Sequence, residues 1–184
     1  DRSLIATLEG HTATVLSVDL DGRVYASGSY DKTARLWGRD GAIAHTLPHP
    51  DWVKAVHLCD DQLVTGCRDV RVRTFNVATG QKTRELSGHG HYVCAVSLRG
   101  ALLVSGAYNG EVKVWALTGD ATAECVATLE HLGGWVRGVA VTGGGVASMS
   151  VGGSGRVVVW RPERSGGGTP HEADPEAWRG GGSK

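Results

Sequence analysis

"LEGHTATVLSVDLDGRVYASGSYDKTARLW", residues 8–37, decides the fold. Thr14 to Leu20 alternates apolar with polar or small residues at period two, the signature of a half-buried strand. Asp21-Gly22 supplies a turn, and Val24 to Ser29 is a shorter, more apolar run. Ala34 to Trp37 is a third run, closed by an aromatic residue. Working outward, the closing aromatic returns as Phe75, Trp115 and Trp160, at intervals of 38, 40 and 45 residues. Ten residues before each aromatic lies a hydroxyl: Ser27, Thr65, Ser105 and Ser150. Six before lies a short polar group: Asp31, Asp69, Asn109 and Ser154. His11, His49 and His89 stand 20 residues ahead of the first three, and His131 stands 23 ahead of Ser154. Four copies in register establish an internal repeat.

The strand texture also recurs. Val53 to Leu58, Val93 to Leu98 and Trp135 to Val141 match the first run; Leu63 to Cys67, Leu102 to Ala107 and Val146 to Ser150 match the second. Third runs are Val70 to Val77, Glu111 to Leu117 and Arg156 to Trp160. A fourth follows in three units, as Ala42 to Leu47, Lys82 to Leu86 and Ala123 to Leu129. Four short antiparallel strands per unit of roughly 40 residues predict a propeller blade. Glycine, at 28 residues, fits so many turns.

The opening stretch, with its Gly-His pair, its S-G-S-x-D turn and its closing Leu-Trp, resembles a WD40 repeat. "LSGHGHYVCAVSLRGALLVSGAYNGEVKVW", residues 86–115, is the second clearest copy. The resemblance covers residues 4–161 and implies an all-β WD40 β-propeller with four recognisable blades, about 8–47, 48–86, 87–129 and 130–161. Residues 4–8 would be an outer closing strand, and 162–184, rich in Gly, Pro and charge, a disordered tail in which Trp178 is isolated. The chain opens at Asp1 and the family usually builds seven blades, so a portion of a larger propeller is expected; the runner-up is a closed ring of four, with Ile5 to Leu8 pairing against Arg156 to Trp160.

A histidine, a hydroxyl and a short polar residue recurring in every unit are too regular for one catalytic triad. The resemblance instead implies a buried hydrogen-bond chain within each blade, Trp37 donating to Ser27 and His11 to Asp31. By the same transfer the other chains are His49, Thr65 and Asp69, broken at Phe75; His89, Ser105, Asn109 and Trp115; and His131, Ser150 and Trp160. Asn109 and Ser154 would weaken their links, leaving only the first chain complete. No catalytic constellation, cofactor loop or metal set is legible, so a non-enzymatic chain without cofactor is expected. Cys59, Cys67, Cys94 and Cys125 form no C-x-x-C pair, which points to a reduced, intracellular protein, cytoplasmic or nuclear.

Lys and Arg total 19, as do Asp and Glu, a balance that speaks against nucleic-acid coating and against an anionic membrane surface. No apolar stretch approaches the roughly 18 residues of a spanning helix. The family's contact positions transfer to Tyr30, Arg68, Tyr108 and Gly153 before the second turn. At the entry of the first strand they are Thr14, Trp52, Tyr92 and Trp135, with Leu16, Lys54, Cys94 and Arg137 two residues on. Aromatic residues and arginine dominate binding hot spots. Tyr30, Trp52, Lys54, Arg68, Tyr92, Tyr108, Trp135 and Arg137 are therefore the candidate partner-binding residues. Lys54, Arg68 and Arg137 converging on one rim would suit an acidic or phosphorylated peptide. Arg35, Arg73 and Lys113, two residues before the aromatics, are expected on a solvated strand face. The implied function is a protein-interaction scaffold. The narrower alternative is a substrate receptor of an F-box ubiquitin ligase, and nucleic-acid binding is a distant third.

Overall fold

A computed structural model describes Leu4, residues 6–119, 121–130, 134–142, 145–151 and 155–162, and Trp178. Fifteen strands among these residues form four antiparallel sheets. The first blade holds β1 (Val15–Leu20), β2 (Tyr25–Ser29), β3 (Thr33–Trp37) and β4 (Ile43–Pro48). The second holds β5 (Val53–Cys59), β6 (Gln62–Cys67), β7 (Val72–Asn76) and β8 (Lys82–Leu86). The third holds β9 (Val93–Arg99), β10 (Leu102–Ala107), β11 (Glu111–Thr118) and β12 (Thr122–Glu130). The fourth has three strands, β13 (Trp135–Thr142), β14 (Gly145–Val151) and β15 (Val157–Trp160). First strands meet one another in sequence, β1 on β5, β5 on β9 and β9 on β13, which curves the blades around a common axis. Each sheet is a meander, as hairpin connections dictate.

The apolar faces predicted from the alternation pack blade against blade. Ala26, Ala34 and Leu36 of the first blade meet Val53, Val56 and Leu58 of the second in one buried cluster. Val64 and Val72 meet Val93, Val96 and Leu98 in the next, and Val104, Val112 and Val114 meet Val136 in the third. Glycine lets the sheets approach. A Cβ built on Gly28 would lie 2.7 Å from Val53 Cγ1, and one on Gly66 2.8 Å from Val93 Cγ1. The β2–β3, β6–β7 and β10–β11 turns share a left-handed position, with φ of 65° at Lys32, 65° at Val70 and 88° at Gly110. Only glycine adopts it freely, so Val70 is a strained choice for a β-branched residue.

Three expectations need correction. No closing strand is formed among the described residues: Leu4 and residues 6–10 carry none, Ile5 lies outside them, and the sheet of β13–β15 has no fourth strand within them. Register in the last blade is also shifted. Tyr25, Leu63 and Leu103 face Trp37, Phe75 and Trp115, and the residue facing Trp160 is Val146. Two residues on, the place of Ser27, Thr65 and Ser105 therefore falls to Ser148 and not to Ser150. The β14–β15 hairpin is longer than the others, and Ser150 sits in its neck, where its hydroxyl accepts from the Arg156 amide at 3.3 Å. Finally, Trp178 is buried, joining Leu102, Val104, Val136 and Val146 at the seam of the third and fourth blades. The rest of the expected tail, beyond Pro162, lies outside the described residues.

Candidate functional site: a stacked rim above an axial cavity

The buried polar chains fix the blades that carry the rim. In the first blade Trp37 Nε1 donates to Ser27 Oγ at 2.8 Å, Ser27 meets His11 Nε2 at 2.7 Å, and His11 Nδ1 meets Asp31 at 2.7 Å. The carboxylate accepts, so Nδ1 carries the proton and Nε2 accepts from the serine. Burial works to raise the Asp31 carboxyl, but hydrogen bonds from Thr33, His11 and the Thr12 amide outweigh it and hold it far below the usual carboxylate range.

The second chain is cut at both ends. His49 Nε2 meets Thr65 at 2.9 Å, Phe75 has no donor, and His49 Nδ1 turns to the Leu47 carbonyl at 2.9 Å. Asp69 is held by Arg73 instead, at 2.5 and 3.1 Å. Arg73 and Lys113 are thus buried ion-pair partners and not a solvated face. Burial pushes the His49 imidazole down to about 4.

The third chain is complete, against expectation. Trp115 donates to Ser105 at 2.8 Å and Ser105 meets His89 at 2.6 Å. The acceptor of His89 Nδ1 is Glu111, at 3.0 Å, not Asn109, whose side chain only caps the Glu111 amide at 3.3 Å. A glutamate two residues after the expected acid reaches the histidine because its side chain is one methylene longer. The signal was in the sequence, 22 residues after His89. In the fourth blade His131, Gly153 and Ser154 lie outside the described residues.

The candidate binding residues assemble by one repeated rule. The amides of Tyr30, Arg68 and Tyr108 donate to the carbonyls of Thr14, Trp52 and Tyr92 at 2.9–3.0 Å, placing both sets on one edge of the blades. Each residue after a second strand then stacks on the first-strand entry of the next blade. Tyr30 lies 4.3 Å from Trp52, and Tyr108 stacks on Trp135 at 4.2 Å with 19° between the planes. The Arg68 guanidinium is clamped 4.4 Å from the Trp52 ring and 4.9 Å from that of Tyr92. His91 stacks on Tyr108 at 5.1 Å and extends the row, although the sequence reading did not single it out. In the last blade the corresponding edge position is Val151, paired with Trp135.

The three candidate cations do not converge. Arg68 pairs with Asp51 at 3.4 Å within the rim. Lys54 and Arg137 instead line an axial cavity of about 270 Å³ with Leu16, Ser17 and Cys94. Neither makes an ion pair among the described residues. Burial raises the Cys94 thiol against the pull of both cations. No group of His, Cys, Asp and Glu that could hold a metal ion occurs among the described residues.

Blades with this register and this indole–serine–histidine–acid chain define a WD40-repeat β-propeller. The chain carries WD40 repeats: residues 2–38 and 80–116 match the family model "WD domain, G-beta repeat". It is 36% identical over 107 residues to Cell division control protein 4 of Candida albicans, covering 55% of this chain and 16% of that protein. It is 35% identical over 123 residues to the guanine nucleotide-binding protein subunit beta of Solanum tuberosum, covering 58% and 32%. The chain thus spans under a third of the length of either relative. Two computationally designed proteins share the fold. Ika4 superimposes with a TM-score of 0.73 at 26% identity, over 88% of this chain and 99% of its own. Ika8 does so with a TM-score of 0.73 at 28% identity, over 84% of this chain and 48% of its own. Nothing in these matches assigns the chain to the F-box group.

Proposed function

We propose that this chain is a non-catalytic scaffold that binds a protein or peptide partner along the stacked rim. WD40 domains generally bind protein partners, and the class is generally non-enzymatic. The observation that carries the reading is the row Tyr30, Trp52, Arg68, Tyr92, Tyr108 and Trp135, which crosses all three blade junctions. Rings held in place by their neighbours offer contact area at little entropic cost, the property of a hot spot. Lys54 and Arg137, at the axial cavity and without an ion pair among the described residues, favour a partner whose acidic or phosphorylated side chain reaches inward. Four free cysteines suit a reducing compartment, cytoplasm or nucleus.

The test is capture on an immobilised peptide array with matched acidic, phosphoserine and neutral members. Trp52→Ala is expected to weaken capture of every bound class. The Lys54→Glu, Arg137→Glu pair is expected to abolish only the acidic and phosphoserine classes. Capture indifferent to Trp52→Ala would remove the rim from the reading; capture indifferent to the charge reversal would remove the anionic preference.

A further inference from the structure

The first and second blades part along the outside of their junction and leave a groove of about 420 Å³. Leu47 and Phe75, both buried, form its floor, with Pro48 and Pro50 on one side and Lys82 and Glu85 on the other. Ligand pockets typically enclose roughly 300–1,000 Å³. Two departures from the next junction open it. His45 faces Leu36 as Arg84 faces Thr74, so the two side chains hold one position in their blades. Arg84 reaches over the next junction to the carbonyls of Gly119 and Thr122, whereas the shorter His45 donates only to the Ala78 carbonyl, at 3.1 Å. Trp115 Cη2 also comes within 3.7 Å of where a Cβ on Gly88 would stand, so its indole fills the space beside the linker to its blade. Phe75 is one ring shorter, and it lines the groove together with Pro48.

The charges around the groove do not balance. Arg71, Arg73 and Lys82 all meet the one carboxylate of Glu85, at 2.7, 3.0 and 2.8 Å. Asp69 adds a second acid, taken by Arg73. Three cations thus share two carboxylates, and Arg71 and Lys82 have no other ion pair among the described residues. Their side chains are 45% and 50% exposed, so both are open to an incoming acceptor.

We propose that this groove is a second docking site for an extended segment of a partner protein, which inserts an aromatic side chain and sets a carboxylate beside it. Walls of proline and phenylalanine are flat and apolar, and a ring brings the largest apolar area against them. The neighbouring carboxylate supplies the anion that Arg71 and Lys82 share too thinly, as a charge-assisted hydrogen bond. The groove has no lining residue in common with the rim row, so a partner held on the rim leaves it free.

The decisive experiment is a nuclear magnetic resonance titration of the full 184-residue chain with three end-blocked tetrapeptides, Gly-Trp-Asp-Gly, Gly-Trp-Asn-Gly and Gly-Ala-Asp-Gly. The first is expected to shift the amide signals of Leu47, Lys82 and Glu85 saturably. The second, without the charge, is expected to bind roughly fivefold more weakly. The third, which buries no ring, is expected to bind more weakly by roughly tenfold or more. Phe75→Trp supplies the missing ring and an N–H for Thr65, as Trp37 does for Ser27 and Trp115 for Ser105. It is expected to keep the fold and abolish the shifts. Lys82→Glu, on a half-exposed side chain, leaves the core untouched and is expected to erase the preference for aspartate over asparagine, and it decides the matter should Phe75→Trp not fold. Trp52→Ala is expected to leave the groove shifts in place, which separates this site from the rim. No saturable shift at these amides, a folded Phe75→Trp that still shows one, or equal binding of the aspartate and asparagine peptides would each overturn the proposal. Groove shifts that follow protein concentration without peptide would do the same, since the occupant would then be a second copy of this chain.

Discussion

Glu111 does in the third blade what Asp31 does in the first, from two residues further along the chain. Its carboxylate accepts from His89, from the Gly90 amide and from Lys113, and these contacts pull its carboxyl down against the opposing effect of burial. Glu111→Ala leaves a buried imidazole N–H without its acceptor and is expected to cost about 1–3 kcal/mol. Asn109→Ala removes one exposed cap and is expected to cost less than about 1 kcal/mol. Urea midpoints compare the two, and equal losses would return the role to Asn109. His49 makes the same kind of bond to a neutral carbonyl, and burial lowers it from 6.5 to about 4. Between those values the unfolded chain binds a proton that the folded chain refuses. Stability from this group is therefore intact above pH 6.5, falls as pH drops through the window, and is fully lost below 4, with about 2 kcal/mol gone by pH 5. His89, also lowered by burial, acts in the same direction. His49→Gln can still donate to Leu47 without titrating, so its urea midpoint is expected to change less between pH 7 and pH 5 than that of the parent chain. Parallel profiles would count against the assignment.

At the scale of strands, what the sequence made legible was whatever repeats at fixed spacing. Trp37, Phe75 and Trp115 each lie ten residues after their serine or threonine, so β2–β3, β6–β7 and β10–β11 share one hairpin and one register. The same count fails in the last blade because spacing reports register only while loop length is constant. Ser148 and Ser150 are both buried and of the same chemistry, so nothing in composition marks which of them faces the Trp160 strand. The rim was legible for a different reason. Each of its residues is fixed by a backbone bond at a strand entry, so large rings transferred by position meet across every junction. The expected convergence of Arg68 with Lys54 and Arg137 failed because two neighbouring rings and Asp51 hold the guanidinium at the edge. Sequence position places a side chain on an edge; which neighbour captures it is a matter of packing across blades.

Across the whole molecule, stability is distributed by seam, because each blade packs on its neighbours in sequence and the array approximates a one-dimensional stack. The last blade is the weakest member of that stack: it has three strands among the described residues, and its seam with the preceding blade lacks the aliphatic side chain that the second and third blades place two positions after their aromatic. Val77 and Leu117 fill that position in the second and third blades and join the seam clusters, whereas the fourth has Pro162. Trp178 supplies apolar area to the same seam from 18 residues beyond Trp160, contacting a cluster that includes Leu102 and Val146. A buried tryptophan cut to alanine typically costs about 3–5 kcal/mol. In a stacked array that loss is local. Trp178→Ala is therefore expected to speed amide hydrogen exchange in β13, β14 and β15 far more than in β5 to β8, where no contact is removed. Exchange that rises uniformly would mean the blades unfold as one unit. Exchange that stays unchanged would mean the indole rests on the seam without holding it, and the last blade would then owe its place to Val136 and Val146 with Val139, Val141 and Trp160 packed beside them.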